Sequence, residues 1–171
     1  MTDLAKAGTT EIIRTGGKGK RCGVRKTDMD TILFFDPHPD VLPLFQAFEA
    51  VLFETFPEVK RRVQKTQITY YNRHVFACIS FARVKRKAEL PEGYMVITFG
   101  LPTPLDSERV AVKTEPYPGR WTHHIVVSRP EELDEELLSW IKDAYVFADA
   151  KGRNARTQRM TPVPSGSAAR K

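Results

Sequence analysis

Apolar and polar positions divide the chain into recognisable elements. Val41, Leu44, Phe45, Phe48, Val51, Leu52 and Phe56 recur at three- and four-residue steps, which predicts a helix over 39–56 with one apolar face. Pro39 suits its first turn and Pro57 ends it. Just before it, Asp28–Phe35 (DMDTILFF) reads as a short helix capped by Thr27 or Asp28. The period then changes. Gln67–Tyr71, Val75–Val84, Met95–Leu101 and Thr122–Ser128 are rich in β-branched and aromatic residues and read as strands.

The links between them carry turn chemistry. Asn72-Arg73-His74 joins the first two strands as an antiparallel hairpin, and Leu90-Pro91-Glu92-Gly93 separates the second from the third. Leu101–Arg120 is the least regular stretch, and so long a connection calls for a short element around Arg109–Lys113. Ser128 and Glu131 have capping-box spacing ahead of a last helix with Leu133, Leu137, Ile141, Ala144 and Ala148 on its apolar stripe. Glu131, Glu132, Asp134, Glu135 and Glu136 crowd the end where the helix dipole favours anions. The order predicts an α+β fold: an antiparallel sheet of about four strands, packed on one face by an N-terminal and a C-terminal helix.

Composition then bounds the chain. Its 171 residues, 41% hydrophobic, suffice for one domain with a buried core. No apolar run approaches the ~18–20 residues of a membrane span, and the first residues lack the apolar core of a signal peptide. Two cysteines, Cys22 and Cys78, make no disulfide framework, which points to a reducing cytoplasm.

Charge changes the picture once it is located. The net charge of +6 divides into +3 over residues 1–30, −3 over 31–149 and +6 over 150–171. Residues 1–27 are Gly-rich and basic and read as a flexible arm; 150–171 read as a disordered basic tail, leaving 28–149 as the domain. Such a tail attracts nucleic acid non-specifically: six neutralised phosphates imply a loss of about 10³-fold in affinity between about 50 and 200 mM salt. Within the domain, residues 59–88 hold nine bases and no acid.

Several motifs together resemble a known bacterial family. They are Val63–Arg73 (VQKTQITYYNR), Gly100-Leu101-Pro102 with Leu105-Asp106-Ser107, Arg120–His124 (RWTHH), and Pro130–Leu137 (PEELDEEL) with Trp140. In this order they are similar to the domain of unknown function 5655, over roughly residues 28–149. More loosely, the layout is similar to the YdhG-like domains, which are small α+β folds. The resemblance implies a fold and no chemistry. Some relatives carry a zinc-ribbon-like segment, of which Arg21-Cys22-Gly23 would be a vestige; one cysteine cannot build a four-ligand zinc site.

Candidate chemistry is sparse. Gly16-Gly17-Lys18-Gly19-Lys20 lacks the Ser/Thr and the preceding strand of a phosphate loop. His123 and His124 are adjacent in a strand, so they point to opposite faces and cannot chelate one metal together. One packs inward and the other faces the open side. Cys78 reads as a buried small hydrophobe. No catalytic residue, metal or cofactor is assigned.

The best site candidate is the hairpin. Lys65, Gln67, Thr69 and Tyr71 alternate on one face if the strand begins at Lys65, and Arg73 continues the parity. Arg120, Trp121 and His124 join them if the strands are neighbours. This row of cations, hydroxyls and an amide suits an anionic or polar ligand, or a protein partner, held by a non-catalytic module. Two alternatives stay open. One is a nucleic-acid-associated accessory protein using 59–88 and the tail. The other is an enzyme with His123 or His124 as acid or base and Lys65 or Arg120 holding an anion.

Overall fold

The computed structural model describes the backbone of residues 28–158 and the side chains of 28–150. Helix α1 (Met29–Phe35) begins at the Asp28 cap, whose carboxylate accepts from the Thr31 N–H at 2.9 Å. A 3₁₀ turn, Pro39–Val41, leads into α2 (Leu42–Thr55), whose Leu44, Phe45, Phe48 and Leu52 are buried. Six strands follow: β1 (Lys60–Val63), β2 (Gln67–Tyr71), β3 (Val75–Ser80), β4 (Met95–Leu101), β5 (Val110–Tyr117) and β6 (Arg120–Val127). Helix α3 (Glu135–Gln158) closes the order. It runs past residue 149, where the sequence suggests the domain ends. The basic arm over 1–27 and residues 159–171 lie outside the described residues.

The α+β class and the antiparallel sheet agree with the sequence pattern, but the sheet has six strands where about four are expected. Its order is β1-β2-β3-β4-β6-β5. The two additional strands are the edges: β1 is absent from the expectation, and β5 is the element expected around Arg109–Lys113, longer and paired as a strand. Lys60-Arg61-Arg62 in β1 and Lys113, Glu115 and Pro116 in β5 break the apolar alternation. Charges and proline on an edge prevent pairing with another chain, and the same residues erase the periodic signal. β5 and β6 turn at Gly119, whose φ of 68° suits a residue without a Cβ.

All three helices pack on one face. Ile68, Tyr70, Ala77, Ile79, Ile97, Phe99 and Ile125 point from the sheet into the core shared with α2 and α3. Register fixes this parity: Ile68 pairs with Ile79 and Tyr70 with Ala77, Ile79 with Ile97 and Ala77 with Phe99, and Ile97 with Ile125. Two ionic clusters tie the helices to the sheet edges. Arg61 on β1 meets Glu49 of α2 at 2.6 Å and Asp28 at 2.7 Å, while the Tyr70 hydroxyl donates to Glu49 at 3.0 Å. At the other edge, Arg109 meets Asp134 and Glu136 at 2.8 Å each, donates to the Glu132 carbonyl, and lies over the Trp140 ring.

The start of the last helix differs from the capping-box reading. Glu132, in a 3₁₀ turn over Pro130–Glu132, accepts from the backbone N–H groups of Ser128 and Arg129. Asp134 caps α3 itself by accepting from the Leu137 N–H at 3.0 Å.

Candidate functional site

The face of the sheet opposite the helices is the surface on which the candidate residues gather. Cross-strand register places Arg62, Thr69, Cys78, Thr98 and His124 in one row across β1, β2, β3, β4 and β6. β1–β4 and β6 contain no Asp or Glu at all. These five strands therefore bring no carboxylate to the face; acids come near it from outside them, with Glu115 on β5 accepting from the Gly119 N–H in the hairpin and Glu89 in the β3–β4 connection.

Each sequence-derived candidate now has a place. Gln67 and Thr69 stand on the helix-free face of β2, and both donate to the side-chain Oε1 of Gln64, at 3.2 and 2.8 Å. Tyr71 ends β2 on the same face, with the Arg62 guanidinium 5.9 Å from its ring centroid. Lys65 and Arg73 are exposed in the two turns that bound β2, because the strand begins at Gln67. Arg120 opens β6 and is exposed; His124 lies on the helix-free face. Trp121 pairs with Leu101 and points to the helix side.

Strand order separates these residues further. β2 and β6 are not neighbours, since β3 and β4 lie between them. At ~4.8 Å per strand, Thr69 and His124 stand about 14 Å apart. One small ligand cannot touch both. Lys65 and Arg120 lie at opposite ends of the sheet, so they do not converge on either histidine.

The two histidines divide as strand parity requires. His123 is fully buried on the helix side and stacks on Phe99 with centroids 5.5 Å apart. Its Nε2 accepts the Leu105 N–H at 2.9 Å, which puts the proton on Nδ1. That Nδ1 is buried beside the Phe99 backbone without a hydrogen bond of ordinary geometry. His124 shares a 2.8 Å hydrogen bond with Thr98 through Nδ1. Burial lowers both histidines below their usual 6.5, and at His123 the nearby Lys113 charge adds to it. Burial likewise pushes the half-buried Cys78 thiol up, against a hydrogen bond with Thr98 that opposes it. A raised thiol is a poor nucleophile.

These shifts set a pH dependence. Below about pH 6.5 the unfolded chain takes up protons that the folded histidines resist, so stability is intact above that pH and falls as the medium is acidified. Urea unfolding at about pH 7.5 and 5.5 is expected to show a lower midpoint in acid, with His124→Gln removing part of the difference. Equal midpoints in the native chain contradict it.

Two features were not legible in the sequence. Arg62 belongs to a strand hidden inside a run of cations; its only signal was that Arg61 and Val63 alternate with Lys60 and Arg62. The second is a cavity of about 170 Å³ where β3 and β4 part company, lined by residues of both strands, β6 and α3. In addition, the β3–β4 connection reaches β5, since Arg83, Lys85, Arg86 and Glu89 line an open hollow with Ala111.

With this geometry in place, comparison with known proteins adds one finding. The family model described as "Domain of unknown function (DUF5655)" matches residues 32–148. The chain belongs to the DUF5655 family. Searches of curated proteins and of solved structures returned no match. The matched region spans all six strands of the DUF5655 domain and most of α3, so the helix-free face lies wholly inside it. No group of three or more His, Cys, Asp or Glu side chains is placed to hold a metal among the described residues, and none of their helices is long and apolar enough to cross a membrane.

Proposed function

We propose that this DUF5655 domain is a non-catalytic binding module whose helix-free sheet face takes an anionic partner. One observation carries the reading: five adjacent strands contain no carboxylate, and the face that no helix covers presents the exposed Lys60 and Arg62 with the half-buried Tyr71, Thr98 and His124. An ordinary solvated face mixes charges of both signs. The Arg62–Tyr71 pair adds a cation and a ring in one place, suited to an anionic group with a flat body. The engaged, neutral histidines and the raised Cys78 thiol favour binding over acid–base or nucleophilic work.

Single-stranded nucleic acid is the second reading. The row from Arg62 to His124 spans about 19 Å across four strand spacings, and Arg83, Lys85 and Arg86 outnumber the one acid, Glu89, in the hollow beside β5. Titrating the full chain with pyrophosphate and with oligothymidylate at two salt concentrations separates these readings. Arg62→Ala combined with Tyr71→Ala is expected to weaken capture about tenfold or more while the fold is kept. Unchanged capture removes the face as the site. Deleting residues 159–171 spares α3 as described, and oligothymidylate binding lost with that deletion alone belongs to the tail.

A further inference from the structure

The cavity at the parting of β3 and β4 has a chemistry of its own. The two strands stay paired as far as Ala77 opposite Phe99 and then diverge. Gly100, Ala144 and Ala148 line the gap and supply almost no side-chain bulk to close it. The void therefore extends from Thr98 and Thr122, on the helix-free face, to α3 beneath the sheet. Its inner wall is apolar, formed by Phe76, Phe99, Ala144 and Ala148. Its outer wall carries the Thr98 and Thr122 hydroxyls, and the exposed Arg120 is the one charged residue of the lining.

Size and charge together select a ligand. A dry cavity of about 150 Å³ lined by aliphatic and aromatic side chains accepts benzene, whereas drug-sized ligands occupy about 300–1,000 Å³. At about 170 Å³ this void takes one ring or a branched aliphatic group and excludes a nucleotide. A single cation on the exposed side, with no acid in the lining, calls for one negative charge on that ligand.

We propose that the cavity binds a small carboxylate with a compact apolar body, of about benzoate size. The body enters between Phe76, Phe99 and the two alanines of α3, and the carboxylate pairs with Arg120 and the Thr122 hydroxyl, the Thr98 hydroxyl being held by His124. The proposal deepens the reading of this face as an anion-taking surface and rests on it.

The test titrates the isotope-labelled full chain with benzoate and, as a neutral isostere, benzyl alcohol, following backbone amide resonances. Saturable benzoate shifts are expected at Cys78, Gly100, Thr122 and Ala144. Arg120→Gln changes an exposed side chain and is expected to weaken benzoate about tenfold, with benzyl alcohol unaffected. Absence of saturable shifts at these amides, or equal benzoate affinity in Arg120→Gln, overturns the proposal. Oligothymidylate or pyrophosphate binding that depends on Arg62 and Tyr71 while benzoate fails overturns the cavity alone. The reverse pattern, benzoate bound while pyrophosphate and oligothymidylate are not captured, supports the cavity, confines anion binding on this face to it and overturns the Arg62–Tyr71 site alone.

Discussion

Glu49→Ala is expected to cost about 3–5 kcal/mol of stability, the loss typical when one partner of a buried charge pair is removed. Glu49 is 8% exposed and sits inside the shared core, with one carboxylate oxygen on Arg61 and the other on the Tyr70 hydroxyl. Tyr70 is wholly buried, and burial followed by the Glu49 charge holds its hydroxyl well above the usual 10. Truncation strands a guanidinium and a phenol that no other side chain in the cluster can satisfy, apart from Asp28 on the outer side of Arg61. Three elements lose their link at once, since Glu49 lies on α2, Arg61 on β1 and Tyr70 on β2. The midpoint of urea unfolding should therefore fall with an unchanged slope. Glu49→Gln retains an acceptor for Tyr70 and should lose less. Replacing the whole set (Glu49→Leu, Arg61→Met, Tyr70→Phe) is expected to recover much of the loss, because no buried polar group is then left unpaired. A Glu49→Ala chain as stable as the native one would show that the cluster contributes nothing net.

That cluster also marks where the sequence stops being informative. The apolar face of α2, the Asp28 cap and the four inner strands were legible because burial imposes a period on consecutive residues. Arg61 was not, because its partners lie 12 and 33 residues away in the chain and local spacing carries no trace of them. The edge strand β1 was hidden by the charges that protect it, and β5 was legible only as a short element around Arg109–Lys113, its type and its length to Tyr117 masked by Lys113, Glu115 and Pro116. The same limit applies to the candidate site. Gln67, Thr69 and Tyr71 were placed on one face by alternation alone, and the structure keeps them there. Grouping them with Arg120, Trp121 and His124 required strand order, which alternation does not encode. β3 and β4 intervene, and Trp121 faces the helices. The adjacency of His123 and His124 did fix their opposite faces, and only the fold decides that His123 is the buried one.

Phe99→Ala is expected to cost about 3–5 kcal/mol, as truncation of a buried aromatic typically does. Phe99 is 1% exposed in the central strand β4 and lies between two rings, His123 at 5.5 Å and Trp140 of α3 at 6.4 Å. Its loss removes apolar burial and leaves a void joined to one already present, because Phe99 lines the cavity between β3 and β4. The enlarged space borders the buried Nδ1 of His123, where an entering water would find a donor to pair with. Two consequences follow from that geometry. The unfolding midpoint should drop, and the near-ultraviolet signal of Trp140 should change even where the chain remains folded. Phe99→Leu keeps most of the buried volume and should cost distinctly less, while losing the stacking on both neighbours. If Phe99→Ala and Phe99→Leu destabilised equally, ring stacking rather than volume would be the larger contribution at this position, and the cavity beside it would be irrelevant to stability.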